Sequence, residues 1–190
     1  MNLLVFSDIH GCFNTLQQMI DIFNNGIDGK KFDLMLIAGD YDNHGPRNGV
    51  PQDYDPMKCA EILNAYADKI VGIRGNCDSE VDQMILKFPM MNESSQLFFE
   101  GASGKKMRIF MHHGHLAQYN SENLAKILPA SNDSAKTVVL SGHTHIPVNE
   151  EKNGYHFLNP GSITFPKGGS KKSYATIDTE SGEIKLCELL

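Results

Sequence analysis

Short apolar runs punctuate the chain at residues 3–6, 34–38, 70–73, 107–111 and 137–140. Their length and aliphatic content predict strands buried on both faces, as in layered α/β folds. Between the first two runs, Leu16, Met19, Ile20 and Phe23 recur at helical spacing, and Gly26 is placed to end that helix. Asp55 and Pro56 read as the N-cap and first residue of a second helix, with Met57, Ala60 and Leu63 on its apolar face. Ser79 with Asp82 three residues on gives a third helix a capping-box start, and "SENLAKIL" reads as a short fourth. The second half is richer in strands. "SQLFFEGASGKKMRIFMHH" predicts a hairpin turning at Gly-Ala-Ser-Gly, "YHFLNPGS" a further strand, and "SYATIDTESGEIKLCELL" a pair turning at residues 180–182. A mixed α/β sandwich with helices outside its sheets is the economical reading.

Composition narrows this picture. At 190 residues, the chain suits one domain spanning 1–190 with a substantial core. A net charge of −6 argues against a dedicated nucleic-acid or anionic-membrane surface, because such binding draws on clustered Lys and Arg. No apolar run approaches a membrane span. The opening "MNLLVFSDIH" reads as a strand rather than a signal peptide. Cys12, Cys59, Cys77 and Cys187 are scattered, which favours reduced thiols and a cytoplasmic setting.

The chemistry lies just past the strands. The first run is followed by Asp8-Ile9-His10 and the second by Gly39-Asp40. The third leads to Gly75-Asn76-Cys77-Asp78, the fourth to His112-His113-Gly114-His115, and the fifth to Gly142-His143-Thr144-His145. Sites in open α/β sheets assemble at this edge. Each residue alone is explained by turn chemistry. Together, Asp8, His10, Asp40, Asn76, His113, His143 and His145 make a mixed nitrogen and oxygen donor set, too large for one ion with an open position and suited to two ions sharing a bridge. If the backbone stays extended through "GHTHIP", His143 and His145 point to one face.

D-x-H, G-D, G-N-x-D, H-G and G-H-x-H, in this order and each after a strand, resemble the calcineurin-like metallophosphoesterases. "NHGPRN", "RGNCDSEVDQM", "HGHL" and "NPGS…PKGG" are similar to the YfcE-type bacterial phosphodiesterases within them. The resemblance implies a four-layer αββα sandwich of two mixed β-sheets flanked by helices, a dinuclear metal site and phosphodiester hydrolysis by a hydroxide bridging the two ions. It places Asp8, His10 and His145 on one ion, Asn76, His113 and His143 on the other, and Asp40 between them. Two divalent ions, manganese first with Ni, Fe and Zn also compatible, are the implied cofactors. The implied substrate is a small phosphoester, and homo-oligomerisation is left open. A phosphomonoesterase and a non-catalytic protein-binding scaffold on this fold are the competing readings. A scaffold would tolerate loss of a ligand, whereas all seven positions here carry metal-compatible side chains.

One position departs from the family pattern. Many relatives carry histidine after the G-N Asn, placed to protonate the leaving alkoxide, where this chain has Cys77. A thiol is a poor substitute, so His44 and His115 join Asn76 as catalytic candidates. Weak leaving-group protonation then favours esters of acidic alcohols, since general-acid help is worth roughly 10²–10⁴-fold. Arg47 is the candidate substrate-binding residue through its planar fork. Arg74 reads as structural, Lys167 as a solvated loop charge, His156 as a strand residue and no ligand, and His112 as facing away from His113. Asn159-Pro160-Gly161-Ser162 reads as a rim loop with no chemistry assigned.

Overall fold

The computed structural model describes residues 1–119, 121–128 and 135–190. Ten strands and four α-helices follow in the order β1 (Asn2–Phe6), α1 (Phe13–Asn25), β2 (Leu34–Ile37), α2 (Pro56–Asn64), β3 (Ile70–Gly72), α3 (Glu80–Ile85), β4 (Ser94–Glu100), β5 (Lys106–His112), α4 (Ser121–Ile127), β6 (Lys136–Leu140), β7 (Val148–Lys152), β8 (Tyr155–Asn159), β9 (Ser173–Asp178) and β10 (Glu183–Glu188). The strands form two five-stranded sheets, ordered β10-β9-β1-β2-β3 and β4-β5-β6-β8-β7. Each has a parallel centre, β1-β2-β3 in one and β5-β6-β8 in the other, with antiparallel strands alongside.

Alternation along the buried strands explains the layering. In β1, Leu4 and Phe6 enter a core shared with Leu16, Met19, Ile20 and Phe23 of α1 and Cys59, Ala60 and Leu63 of α2. Leu3 and Val5, on the opposite face, join Leu36, Met107, Ile109, Val138 and Leu140 in a second core between the sheets. Phe110 and Val139 point outward from the second sheet and pack against Leu124 and Leu128. Three apolar layers therefore separate four layers of secondary structure, in the sandwich that the motifs implied.

The predicted helix ends are present. Gly26 follows α1 at φ 77°, and the Asp55 carboxylate caps α2 by accepting the Lys58 N–H at 3.0 Å. Ser79 and Asp82 form the capping box of α3. The apolar stripe of α2 differs from the expected one: Met57 is 64% exposed, and Cys59 takes its place beside Ala60 and Leu63. Met57 lies in the first turn, at the edge of the stripe that faces the sheet. The sequence pattern also passed over β7, an edge strand whose side chains are mostly exposed. It pairs with β8 through Asn153-Gly154, at φ 53° and 79°, a two-residue turn whose composition is itself a strong hairpin signal.

No described helix is long and apolar enough to cross a membrane. Leu36 is fully buried between the two sheets. Leu36→Ala should lower the free energy of unfolding by about 2–5 kcal/mol, read from denaturant titration, because the rigid sheets cannot close over the cavity.

Candidate metal centre

The parallel strands of both sheets end at one edge, and the loops leaving them are bonded to each other. Asp8 N–H donates to the Gly39 carbonyl at 3.1 Å, Ile9 and His10 N–H both donate to the Asp40 carbonyl, and Gly142 N–H donates to the His113 carbonyl at 2.9 Å. Close approach requires the glycines of these loops. A side chain on Gly75 would collide with the Asp40 carboxylate, and one on Gly142 with the Ser7 hydroxyl.

Five of the singled-out residues hold left-handed backbone: Asp8 (φ 58°), His10 (51°), Asp40 (58°), His143 (67°) and His145 (59°). Such conformations cost non-glycine residues on the order of 1–3 kcal/mol each and persist where surrounding structure enforces them. The expectation of extended backbone through "GHTHIP" is thus corrected. Thr144 N–H donates to the Gly142 carbonyl at 2.7 Å, the chain curls, and the two histidines diverge. His143 Nδ1 lies 2.6 Å from Asn76 Oδ1, while His145 Nε2 lies 3.1 Å from Asp8 Oδ1.

Backbone carbonyls fix the other rings. His10 Nδ1 donates to the Asn43 carbonyl at 2.8 Å, His113 Nδ1 to Ala38 at 2.6 Å and His145 Nδ1 to Phe165 at 2.6 Å. In a neutral imidazole the proton is then on Nδ1, and a lone pair on Nε2 faces inward. His10 Nε2 is 3.3 Å from His145 Nε2 and 3.7 Å from both Asp8 Oδ1 and Asp40 Oδ2. His113 Nε2 is 3.3 Å from Asp40 Oδ2 and 3.1 Å from Asn76 Oδ1. Lone pairs meet lone pairs here, an arrangement that only protons or cations relieve. Donors bound at about 2.0–2.2 Å to one ion stand roughly 3–3.5 Å apart, so the spacing suits metal coordination. Asp8, His10 and His145 have donor atoms within 4.8 Å of one another, as do Asp8, Asp40 and His113, and as do His10, Asp40 and Cys77.

Burial would lower the His113 pKa, but its hydrogen bond and attraction to Asp40 lift it to about 9. The same pairing, with the Cys77 N–H and His10, holds Asp40 below the usual carboxylate range against burial. Asp78, quoted in the G-N-x-D motif but given no part of its own, organises this corner. Its carboxylate, 3% exposed, accepts the N–H groups of Asp40 and Tyr41 at 2.8 Å and of Gly75 at 2.6 Å. Burial and the charge of Asp40 push Asp78 up to about 7, opposed by those bonds.

A family model for the calcineurin-like phosphoesterase superfamily domain matches residues 1–182. The chain belongs to the calcineurin-like phosphoesterase superfamily. It is 42% identical over 180 residues to phosphodiesterase YfcE of Escherichia coli K12, covering 95% of this chain and 89% of that protein. The solved structure of the E. coli phosphoesterase Yfce superposes with a TM-score of 0.80 at 37% identity over the full length of both chains. The probable metallophosphoesterase YsnB of Bacillus subtilis is 25% identical over 181 residues, 95% of this chain and 86% of that protein. Vps29 of Chaetomium thermophilum shares the fold alone, with a TM-score of 0.62 at 15% identity over 98% of this chain and 94% of that one.

Within this superfamily member, a cavity of about 360 Å³ opens over the site, lined in part by His10, Asp40, Asn76, Cys77, His143 and His145. Arg47 lines it, and so does Lys167, against the expectation of a solvated loop charge. His44 and His115 do not. His44 packs edge-on against Tyr54 at 5.2 Å between centroids, and His115 lies 5.4 Å from His113 and 6.2 Å from His143. His112 turns away toward Phe110 and Tyr119, and burial pushes it down to about 4. Arg74 Nε donates to the Asp78 carbonyl at 3.2 Å, and His156 bonds to Glu151 and Asn149 in the second sheet. The 159–162 loop is a brace. Asn159 Nδ2 donates to the Gly142 carbonyl at 2.8 Å, and the Ser162 hydroxyl donates to the Asp8 carbonyl at 2.9 Å.

Asp78→Ala should lower the free energy of unfolding by about 2–5 kcal/mol, measured by denaturant titration, because three buried N–H groups lose their acceptor together.

Proposed function

We propose that the protein is a metal-dependent phosphodiesterase acting at a dinuclear site. The observation that carries the reading is the convergence of imidazole nitrogens and carboxylate oxygens to within 3.1–3.3 Å of one another, in a chain 42% identical to a phosphodiesterase. Asp8, His10 and His145 would hold one ion, and Asn76, His113 and His143 the other, with Asp40 between them. Two divalent ions bound there supply an activated water as nucleophile and neutralise charge on the phosphoryl oxygens. Manganese is the first candidate, and Ni, Fe and Zn also suit this donor set. The substrate is a small phosphoester, and the setting is cytoplasmic.

The protein's own residues preorganise this arrangement. Carbonyls of Asn43, Ala38 and Phe165 hold three imidazoles in one tautomer, so no ring must reorient when an ion enters. Asp78 fixes the backbone of Asp40, and the Cys77 N–H, 2.8 Å from Asp40 Oδ1, fixes its carboxylate. Asn76 donates from Nδ2 to Cys77 Sγ at 3.2 Å, which turns Oδ1 toward His113 and His143. The histidines lining the cavity are His10, His143 and His145, all ligand candidates. With His44 and His115 outside that lining, no lining histidine is left to protonate the leaving oxygen.

Stripping metal with a chelator should abolish hydrolysis of bis(p-nitrophenyl) phosphate, and adding back Mn²⁺ alone should restore it. Asp40→Asn should reduce kcat/KM by at least about 10³-fold through loss of the shared carboxylate. Near-native rates in that variant would overturn the assignment. No activity with any single ion would favour a scaffold, and activity on p-nitrophenyl phosphate alone a monoesterase.

Across a series of aryl diesters, kcat/KM should fall steeply as the leaving phenol becomes less acidic, since the general-acid factor of roughly 10²–10⁴ is missing. A flat series would show that some group does donate that proton.

A further inference from the structure

Among the residues lining the cavity, two carry positive charge, Arg47 and Lys167. Neither side chain makes a hydrogen bond or ion pair among the described residues. Of the neighbouring cations, Arg74 bonds to the Asp78 carbonyl and Lys171 to Glu188 at 2.7 Å. In a chain of net charge −6, two cations without a partner among the described residues line one opening alongside Asp40.

Their loops are anchored with care. Asn43 Oδ1 accepts the Gly45 N–H at 2.8 Å, Asn48 N–H donates to the Gly45 carbonyl at 3.2 Å, and Asn48 Nδ2 donates to the His44 carbonyl at 2.8 Å. The turn bearing Arg47 is thus closed by its own side chains. It is tied to the centre because the Asn43 carbonyl accepts His10 Nδ1. On the other side, Lys167 N–H donates to the His145 carbonyl at 3.1 Å, and its own carbonyl accepts the Ser170 hydroxyl at 2.7 Å. Both cations therefore ride on loops pinned to His10 and His145, the two rings whose Nε2 atoms are 3.3 Å apart. The Arg47 turn also borders the far side of the cavity, since a side chain on Gly45 would meet Cys77 Sγ at 3.0 Å.

A phosphodiester carries one negative charge, which the ions of the proposed centre would already offset. Two further cations lining the same cavity serve an additional negative group. We infer that the preferred substrates are phosphodiesters bearing a second anionic group, a carboxylate or phosphate, on one ester arm, bound by Arg47 and Lys167. The inference rests on the proposed phosphodiesterase reading and narrows its substrate class.

The test uses the Mn²⁺-loaded protein and two paired comparisons. In the first, kcat/KM is measured for bis(p-nitrophenyl) phosphate and for 4-carboxyphenyl p-nitrophenyl phosphate, which release the same phenol. The carboxylated diester should be preferred by about tenfold, as one exposed charge-assisted contact gives. Arg47→Ala and Lys167→Ala should each reduce that ratio, and the double variant should bring it near one. The preference should shrink as salt is raised. Equal kcat/KM for the two diesters, or a ratio that neither variant alters, overturns the inference and leaves the phosphodiesterase reading standing. In the second, calorimetry compares binding of bis(4-carboxyphenyl) phosphate and diphenyl phosphate. Tighter binding of the carboxylated compound, lost in the double variant, supports the second anionic subsite even if neither diester is hydrolysed, in which case only the catalytic reading fails. Equal binding overturns it.

Discussion

A single buried carboxylate holds two loops in register. Asp78 accepts N–H groups from Asp40 and Tyr41 after β2 and from Gly75 after β3, and its own carbonyl takes Arg74 Nε. Asp40 in turn gives its carbonyl to Ile9 and His10, so the loop after β1 is hung from the same point. A carboxylate can satisfy three donors at once where an N–H or carbonyl cannot, which is why an acid occupies this dry position. The left-handed backbone at Asp8, His10 and Asp40 is held within this network. Strain at these residues and the hydrogen bonds beneath them are two aspects of one construction.

The second sheet repeats the scheme with different parts. Asn159 bonds to the Gly142 carbonyl and the Thr144 hydroxyl, fixing the curl that separates His143 from His145. Ser162 crosses between sheets to the Asp8 carbonyl and also accepts N–H groups from Thr164 and Phe165. Phe165 then orients His145. The two halves of the centre come from different sheets joined mainly by an apolar layer, and these polar bridges set their spacing at the edge where that layer ends.

Much of this was legible in the sequence, for identifiable reasons. Strands buried on both faces leave aliphatic runs, and helices with capping signals at Asp55 and Ser79 declare their first turns. The residues brought to the centre were visible because histidine recurring after several strands has no reason in turn chemistry. What escaped was whatever depends on backbone conformation or distant partners. Extended geometry was a reasonable default for His143 and His145, yet His143 is pulled to Asn76, 67 residues away. Asp78 read as a turn former and Asn159 as part of a rim loop, because each bonds to backbone far along the chain. Lys167 looked solvated because nothing local shows that His145 binds its N–H. For β7 the Asn-Gly signal was present, and the weak alternation of an exposed edge strand concealed it.

The sheet order constrains how the chain reaches this state during synthesis. β1 lies between β2 and β9, pairing Leu3 with both Leu34 and Ile177. The β1-α1-β2 and β2-α2-β3 units can form as soon as they are made, but one edge of β1 then waits for the final strands. The braces at Asn159 and Ser162 also come late. A ribosome-bound chain would therefore hold Asp8, His10 and Asp40 in a half-built pocket, with the exposed flank of β1 open to wrong partners. The candidate site residues are all made by His145, but their braces at Asn159 and Ser162 and the second neighbour of β1 arrive only with residues 159–178.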